Sequence, residues 1–264
     1  MSDFGKRIRL NRLFKTSSHK VLIVAFDHAL LLGPIDGTVD PSGQVRQFAA
    51  NGVDGLLLNL GILHECVDSL AGHAPPCLIL RLDWTSAWFA VENGGRLRSE
   101  LLVQPEQALQ NGADAVLTYL FVGTGDFDFE AREVARNAQV ARECERLGIP
   151  MIVETIARGK DVENPNSPKW LNLHTRMAAE LGADLIKTEY AGSPEAMREV
   201  VQTCPIPIVI LGGAKRPTEK LALDVVRGAM SAGAAGVFMG RNIFQAPDMP
   251  GFLAQVRGVL DGKG

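Results

Sequence analysis

Lysine 187 lies in the run Asp184-Leu185-Ile186-Lys187-Thr188, among apolar and β-branched neighbours. A lysine inside a buried strand is costly unless it is paired or put to use. Burial beside other cations favours the neutral amine of a lysine, which can attack a carbonyl carbon. Position alone leaves a second reading open, in which the stem packs and the ammonium pairs with Glu154, Glu189 or Asp27.

Two glycine turns carry cations: Leu211-Gly212-Gly213-Ala214-Lys215 and Met239-Gly240-Arg241-Asn242. Paired glycines let backbone N–H groups approach an anion, and Lys215 or Arg241 supplies charge, so the pair reads as a phosphate site. Arg241 is the better ligand because its planar fork bonds bidentately. Asp27 closes the run before His28, where a carboxylate can move a proton or simply hold a cation. His28, the next residue along, is expected to point the other way and is given no chemistry. Glu154 and Arg158 flank the end of another run, ahead of a Pro- and Asn-rich loop over 159–170 that suits a lid. Asp83, Trp84 and Thr85 end a further run, before a long segment reaching about Gln104. Trp84 and Trp88 are possible pocket walls. Thr118, Phe121 and Gly123 are expected as lining residues only.

For these side chains to meet, the elements carrying them must converge. The chain repeats one unit eight times: a short apolar run, a polar turn, then a helix-length segment. The runs are 21–28, 52–59, 77–84, 113–122, 150–157, 183–190, 206–213 and 235–242. They are nearly continuous in apolar residues, as strands of a parallel sheet buried on both faces must be. Gly52, Gly112, Gly148, Gly182 and Gly233 stand where left-handed helix ends belong, and Asp40-Pro41 and Ser193-Pro194 read as helix starts. Eight such units in 264 residues predict a (β/α)8 TIM barrel over 1–264 as a single domain, with 1–20 as a lead-in or cap. The open-sheet alternative lacks a GxGxxG after its first run. In a barrel, chemistry sits at the C-terminal ends of the strands, where Lys187, Asp27, Glu154 and both glycine turns fall.

Composition narrows the function classes. With 46% hydrophobic and 22% charged residues, the chain can bury a large core. A formal net charge of −3 gives no reason to expect nucleic acid or an anionic membrane as partner. The four cysteines at 66, 77, 144 and 204 form no CxxC pair and have no nearby His ligand pattern, which argues against a zinc ribbon or a disulfide framework and fits a reducing, cytoplasmic setting. No metal or cofactor is expected, since a lysine iminium supplies the charge that a Lewis acid would. No apolar run approaches the roughly 20 residues of a membrane helix. The basic start could be taken for a transit peptide, but Ile8, Leu10, Leu13 and Phe14 fit better as a plug packed against the first strand.

The chain resembles the archaeal-type class I fructose-bisphosphate aldolases of the DeoC/LacD-like aldolase superfamily. Similar proteins there include 2-amino-3,7-dideoxyheptulosonate synthases and enzymes acting on phosphorylated autoinducer-2. The resemblance covers about residues 5–246 and rests on RIRLNRLF, FDHALLLGPIDGTVDP, NGADAV, ADLIKTEYAG, ILGGAK and GVFMGRNIFQ. It implies that Lys187 forms a Schiff base, that Asp27 assists proton transfer, and that Gly212, Gly213, Gly240 and Arg241 hold a substrate phosphate. The implied substrate is a phosphorylated sugar or ketone, and the implied assembly a homo-oligomer built on five-fold rings, such as a decamer.

Two departures matter. The family's DHG is Asp27-His28-Ala29 here. The family's WSYPRG, with its acid/base tyrosine, aligns with Glu154-Thr155-Ile156-Ala157-Arg158-Gly159, which puts Ile156 at the tyrosine. Isoleucine transfers no proton, so fructose 1,6-bisphosphate is a doubtful substrate while Schiff-base chemistry survives, with Glu154 as an alternative acid/base. The reading is therefore a class I aldolase. Its rivals are a transferase or thiolase-like enzyme using the same lysine on a phosphorylated diketone, and a non-catalytic sugar-phosphate binding protein.

Overall fold

A computed structural model describes residues 4–72 and 74–263. Its strands in chain order are β1 (Val21–Ala25), β2 (Gly55–Leu58), β3 (Cys77–Arg81), β4 (Asp83–Thr85), β5 (Ser99–Leu101), β6 (Ala115–Val122), β7 (Met151–Ala157), β8 (Leu185–Thr188), β9 (Ile208–Leu211) and β10 (Gly236–Met239). Helices are α1 (Phe4–Leu13), α2 (Ala29–Leu32), α3 (Pro41–Ala50), α4 (Leu60–Leu70), α5 (Ala87–Asn93) and α6 (Pro105–Gln110), then α7 (Phe127–Leu147), α8 (Pro168–Glu180), α9 (Pro194–Thr203), α10 (Glu219–Ser231), α11 (Arg241–Phe244) and α12 (Met249–Leu260). Eight parallel strands close a barrel in the order β1-β10-β9-β8-β7-β6-β3-β2, so the predicted (β/α)8 architecture is present. The antiparallel hairpin β4–β5 stands outside the ring.

Alternation sorts the strands into two cores. Even-numbered β1 residues face a shell shared with the helices, while Val21, Ile23, Leu57, Ile79, Leu117, Ile152, Leu185, Val209 and Phe238 fill the barrel's lower interior. Leu13, at the end of α1, closes this interior core from below. The remainder of the predicted lead-in behaves less simply. Ile8 is exposed, because α1 is oriented by ion pairs from Lys6 to Asp184 (3.0 Å) and Glu145 (3.1 Å) rather than by an apolar stripe. Residues 1–3 lie outside the described residues.

A repeated device sets the strand register. Gly52-Val53-Asp54, Gly112-Ala113-Asp114 and Gly182-Ala183-Asp184 each precede a strand. Each aspartate accepts the backbone N–H of a residue at the start of a neighbouring strand: Leu22 (2.8 Å), Leu78 (3.1 Å) and Met151 (2.8 Å). The five helix-ending glycines have φ between 66° and 101°, as expected. The two expected helix starts also form, with Asp40 accepting from the Gly43 N–H at 2.9 Å and Ser193 from the Ala196 N–H at 3.2 Å.

One buried group in this shell makes stability depend on pH. His174 of α8 is fully buried, and neither ring nitrogen has a partner among the described residues. Burial, with Arg158 nearby, pushes its pKa down from 6.5 to about 3. The folded protein therefore keeps a neutral imidazole that the unfolded chain protonates below 6.5. Stability is complete above that pH and is lost as pH falls towards 3. At pH 5 the loss from this group is about 2 kcal/mol. Urea unfolding at pH 7 and pH 5 is expected to show that loss in the wild type and its disappearance in His174→Phe.

Candidate active site

Above the apolar floor, the inward positions of neighbouring strands become polar. Register sets Tyr119 of β6, Glu154 of β7 and Lys187 of β8 side by side. Lys187 is 4% exposed; its Nζ lies 2.9 Å from Glu154 Oε1 and 4.5 Å from the centre of the Phe238 ring. The pairing that position alone left open is thus present, with Glu154 as the partner. Both residues face a cavity of about 380 Å³ at the C-terminal mouth of the barrel.

Asp27 enters the same cavity from the segment after β1 and is bound by a residue the sequence analysis passed over. Arg81, at the end of β3, donates from Nε to Asp27 Oδ2 (2.8 Å) and from Nη2 to Glu154 Oε2 (2.6 Å). Its guanidinium carbon sits 3.8 Å from the centre of the Tyr119 ring. Burial alone would raise the Asp27 pKa, but Arg81, Lys187 and His28 outweigh it and hold the carboxyl at about 2. Arg81 was detectable by the reasoning that singled out Lys187, since it too is a cation inside an apolar strand run.

His28 requires a correction. It lines the cavity, with Nδ1 3.6 Å from Asp27 Oδ1, instead of pointing away. The strand alternation that predicted otherwise ends at Ala25, and the chain coils so that the Leu31 N–H bonds the His28 carbonyl at 3.0 Å. Burial pushes the His28 pKa down, with opposing contributions from Asp27 upward and Lys187 downward.

Gly212, Gly213, Gly240 and Arg241 also line the cavity. Gly240 has no room for a side chain, because an added Cβ would lie 2.3 Å from the His28 ring and 2.7 Å from the Ala25 carbonyl oxygen. Lys215 does not line the cavity: it is exposed, and its Nζ approaches the Asn242 carbonyl at 3.5 Å. Buried Asn242 ties the two glycine loops together. Its amide donates to the carbonyls of Gly212 and Ala214, both at 3.0 Å, and its oxygen accepts the Arg216 N–H at 2.9 Å. Asn242→Ala is expected to loosen these loops and to leave buried carbonyls without their donor, lowering stability by about 1–3 kcal/mol; urea unfolding checks this.

The remaining wall is formed by Leu31 and Leu32 of α2, Trp88 and Phe89 of α5, and the Arg158–Glu189 pair, which is bidentate at 2.6 and 3.0 Å. Trp88 is therefore a cavity residue, and Trp84 is not. Thr118, Phe121 and Gly123 do not line the cavity either. Thr118 faces outward to Asn137 (2.7 Å), Phe121 packs on Trp88, and Gly123 is covered by Val162 and Trp170. Those last two contacts show where the 159–170 loop goes: it packs over the exit of β6, and none of its residues lines the cavity. Ile156 is fully buried against the cluster containing Tyr119, Phe121 and Phe129. The cavity has a phenol all the same, that of Tyr119 on the adjacent strand, and burial raises its pKa well above the usual value.

The hairpin β4–β5 and α7 brace Tyr119 from behind. Asp83 accepts the Tyr119 N–H at 2.8 Å and pairs with Arg136, which also donates to the Tyr119 carbonyl at 2.9 Å. Glu133 completes this buried group by accepting the Phe121 N–H at 3.1 Å.

A closed (β/α)8 barrel with a buried, ion-paired lysine lining its cavity suits chemistry at a carbonyl carbon, and comparison with known proteins identifies the family. The DeoC/LacD family aldolase model matches residues 21–246. An uncharacterised aldolase of Saccharolobus solfataricus is 37% identical, covering 92% of this chain and 90% of its own. The 2-amino-4,5-dihydroxy-6-oxo-7-(phosphonooxy)heptanoate synthase of Streptomyces griseus is 34% identical, with 96% and 89% covered. An archaeal fructose-1,6-bisphosphate aldolase, solved with its catalytic lysine covalently bound to the carbinolamine intermediate of its substrate, superposes with a TM-score of 0.85 at 27% identity, covering 96% of this chain and all of that one. The chain belongs to the DeoC/LacD aldolase family and is an aldolase-type enzyme.

Proposed function

We propose that the cavity cleaves or forms a C–C bond in a phosphorylated ketose or related carbonyl compound, with Lys187 as the Schiff-base nucleophile. The observation that carries this is the pairing of buried Lys187 with Glu154 at 2.9 Å, in a cavity that also holds Gly212, Gly213, Gly240 and Arg241. The substrate phosphate sits on those glycine loops and on Arg241. Its carbonyl then lies deeper, over Lys187, and the protonated imine becomes the electron sink for C–C cleavage or formation. Asp27 and Glu154 are the carboxylates available for proton transfer, since Ile156 has no proton to give.

The synthase and fructose-bisphosphate aldolase relatives support a phosphorylated carbonyl substrate. The isoleucine at the tyrosine position speaks against fructose 1,6-bisphosphate itself. The deciding experiment is reductive trapping: incubation with dihydroxyacetone phosphate and a panel of sugar phosphates, borohydride treatment, and location of the adduct by peptide mass spectrometry. A stable adduct on Lys187 is expected. Folded protein giving no adduct with any ligand would leave a sugar-phosphate binding protein as the better reading. Product that forms only when an acceptor is added would favour a transferase.

A further inference from the structure

The proposed reaction leaves its two carboxylates without separate tasks and a buried cation of the site, Arg81, without any. Arg81 reaches both carboxylates at once: Nε and Nη2 lie 2.8 and 2.7 Å from Asp27 Oδ2, and Nη2 lies 2.6 Å from Glu154 Oε2. The Tyr119 ring beneath the guanidinium and buried Asp83, 3.5 Å from Nη1, leave it little freedom to swing away. Glu154 is thereby divided, with Oε2 on Arg81 and Oε1 on Lys187.

We infer that Arg81 is the positioning residue that assigns the proton transfers to Glu154 and fixes Asp27 as a permanent anion; this rests on the Schiff-base reading above. A carboxylate oxygen facing an arginine N–H cannot also carry a proton towards it, because two hydrogens would then oppose each other. A proton on Glu154 therefore resides on Oε1, the oxygen that faces Lys187. Asp27 has no hydrogen bond to Lys187 among the described residues, and its charge offsets that of the buried guanidinium. The sequence of transfers balances. The Lys187 ammonium gives a proton to Glu154 Oε1, the freed lone pair attacks the carbonyl carbon, and Glu154 returns the proton to the carbonyl oxygen. Glu154 then takes a second proton from nitrogen and delivers it to the hydroxyl, the C–O bond breaks, and water leaves. The net change is ammonium plus carbonyl to protonated imine plus water, with both protons carried by Glu154.

The test compares single-turnover rates of borohydride-trapped adduct on Lys187 with dihydroxyacetone phosphate, alongside the Kd of inorganic phosphate. Arg81→Met would strand a buried aspartate and risks misfolding, so the variant used is Arg81→Lys, which keeps the charge but cannot bridge two carboxylates. Glu154→Gln is expected to slow trapping by about 100-fold or more, and Arg81→Lys by roughly 10- to 100-fold. Phosphate Kd should stay within about twofold in both. The double variant Arg81→Lys/Glu154→Gln should be no slower than Glu154→Gln alone, since Arg81 acts through Glu154. Wild-type trapping rates in Arg81→Lys, or losses that multiply in the double variant, would overturn the inference while leaving the Schiff-base reading intact. Absence of an adduct in the wild-type protein would overturn that reading, and this inference with it.

Discussion

Lys187→Met should give no borohydride-stable adduct with any phosphorylated ketone, and its turnover should fall by at least about 10⁴-fold. Methionine keeps the length and the burial of the side chain, so the cavity and its glycine loops persist while the proposed nucleophile is gone. The loss is expected to be in chemistry rather than in folding. Glu154 loses its 2.9 Å contact with Nζ but retains Arg81 at 2.6 Å, so no carboxylate is left unpaired. The stability cost is then about 1–3 kcal/mol, less than that of stranding a buried charge. Lys215→Met is the matched control. That lysine is exposed and does not line the cavity, so its variant should trap at the wild-type rate. Persistence of an adduct in Lys187→Met at the wild-type rate, on any other lysine, would sink the assignment.

What could be read from the sequence follows from which physical signals are local. The eight strand runs and their glycine-ended helices were legible because a parallel strand buried on both faces leaves an apolar run, and a left-handed helix end leaves a glycine. The site residues that could be placed were those whose type conflicts with such a run, Lys187 and Glu154, or that stand at its end, Asp27 and Arg241. The same conflict marks Arg81, but its place in the site depends on partners far away in the chain, Asp27 and Glu154, which only the closed barrel brings to it. His28 was misplaced because alternation was extended past Ala25, where the strand ends. Tyr119 was missed because a tyrosine in a strand run breaks no pattern. Its role as a cavity wall depends on the barrel's closure, which sets it beside Glu154 across the β6–β7 register. The hairpin between Thr85 and Ser99 and the docking of Trp170 over Gly123 are likewise long-range outcomes, with no periodic trace in the segments that make them.

The proposed phosphate site should respond to mutation separately from the lysine. Arg241 lines the cavity without an ion-pair partner among the described residues; its Nε is buried and unbonded, and burial pushes its pKa down. A cation kept half-desolvated and unpaired has free energy to gain from a bound anion, whereas Arg81 and Arg158 already have carboxylates. Arg241→Met should therefore weaken binding of phosphorylated ligands by about 10²–10³-fold, corresponding to roughly 3–4 kcal/mol. It should scarcely affect an unphosphorylated analogue such as dihydroxyacetone, which never used the contact. The informative measurement is the ratio of kcat/KM for the two ligands in wild type and variant. A ratio that collapses towards one places the phosphate on Arg241. If both ligands lose the same factor, Arg241 merely supports the fold of the loop after β10, and any phosphate site there rests on the backbone of the two glycine loops.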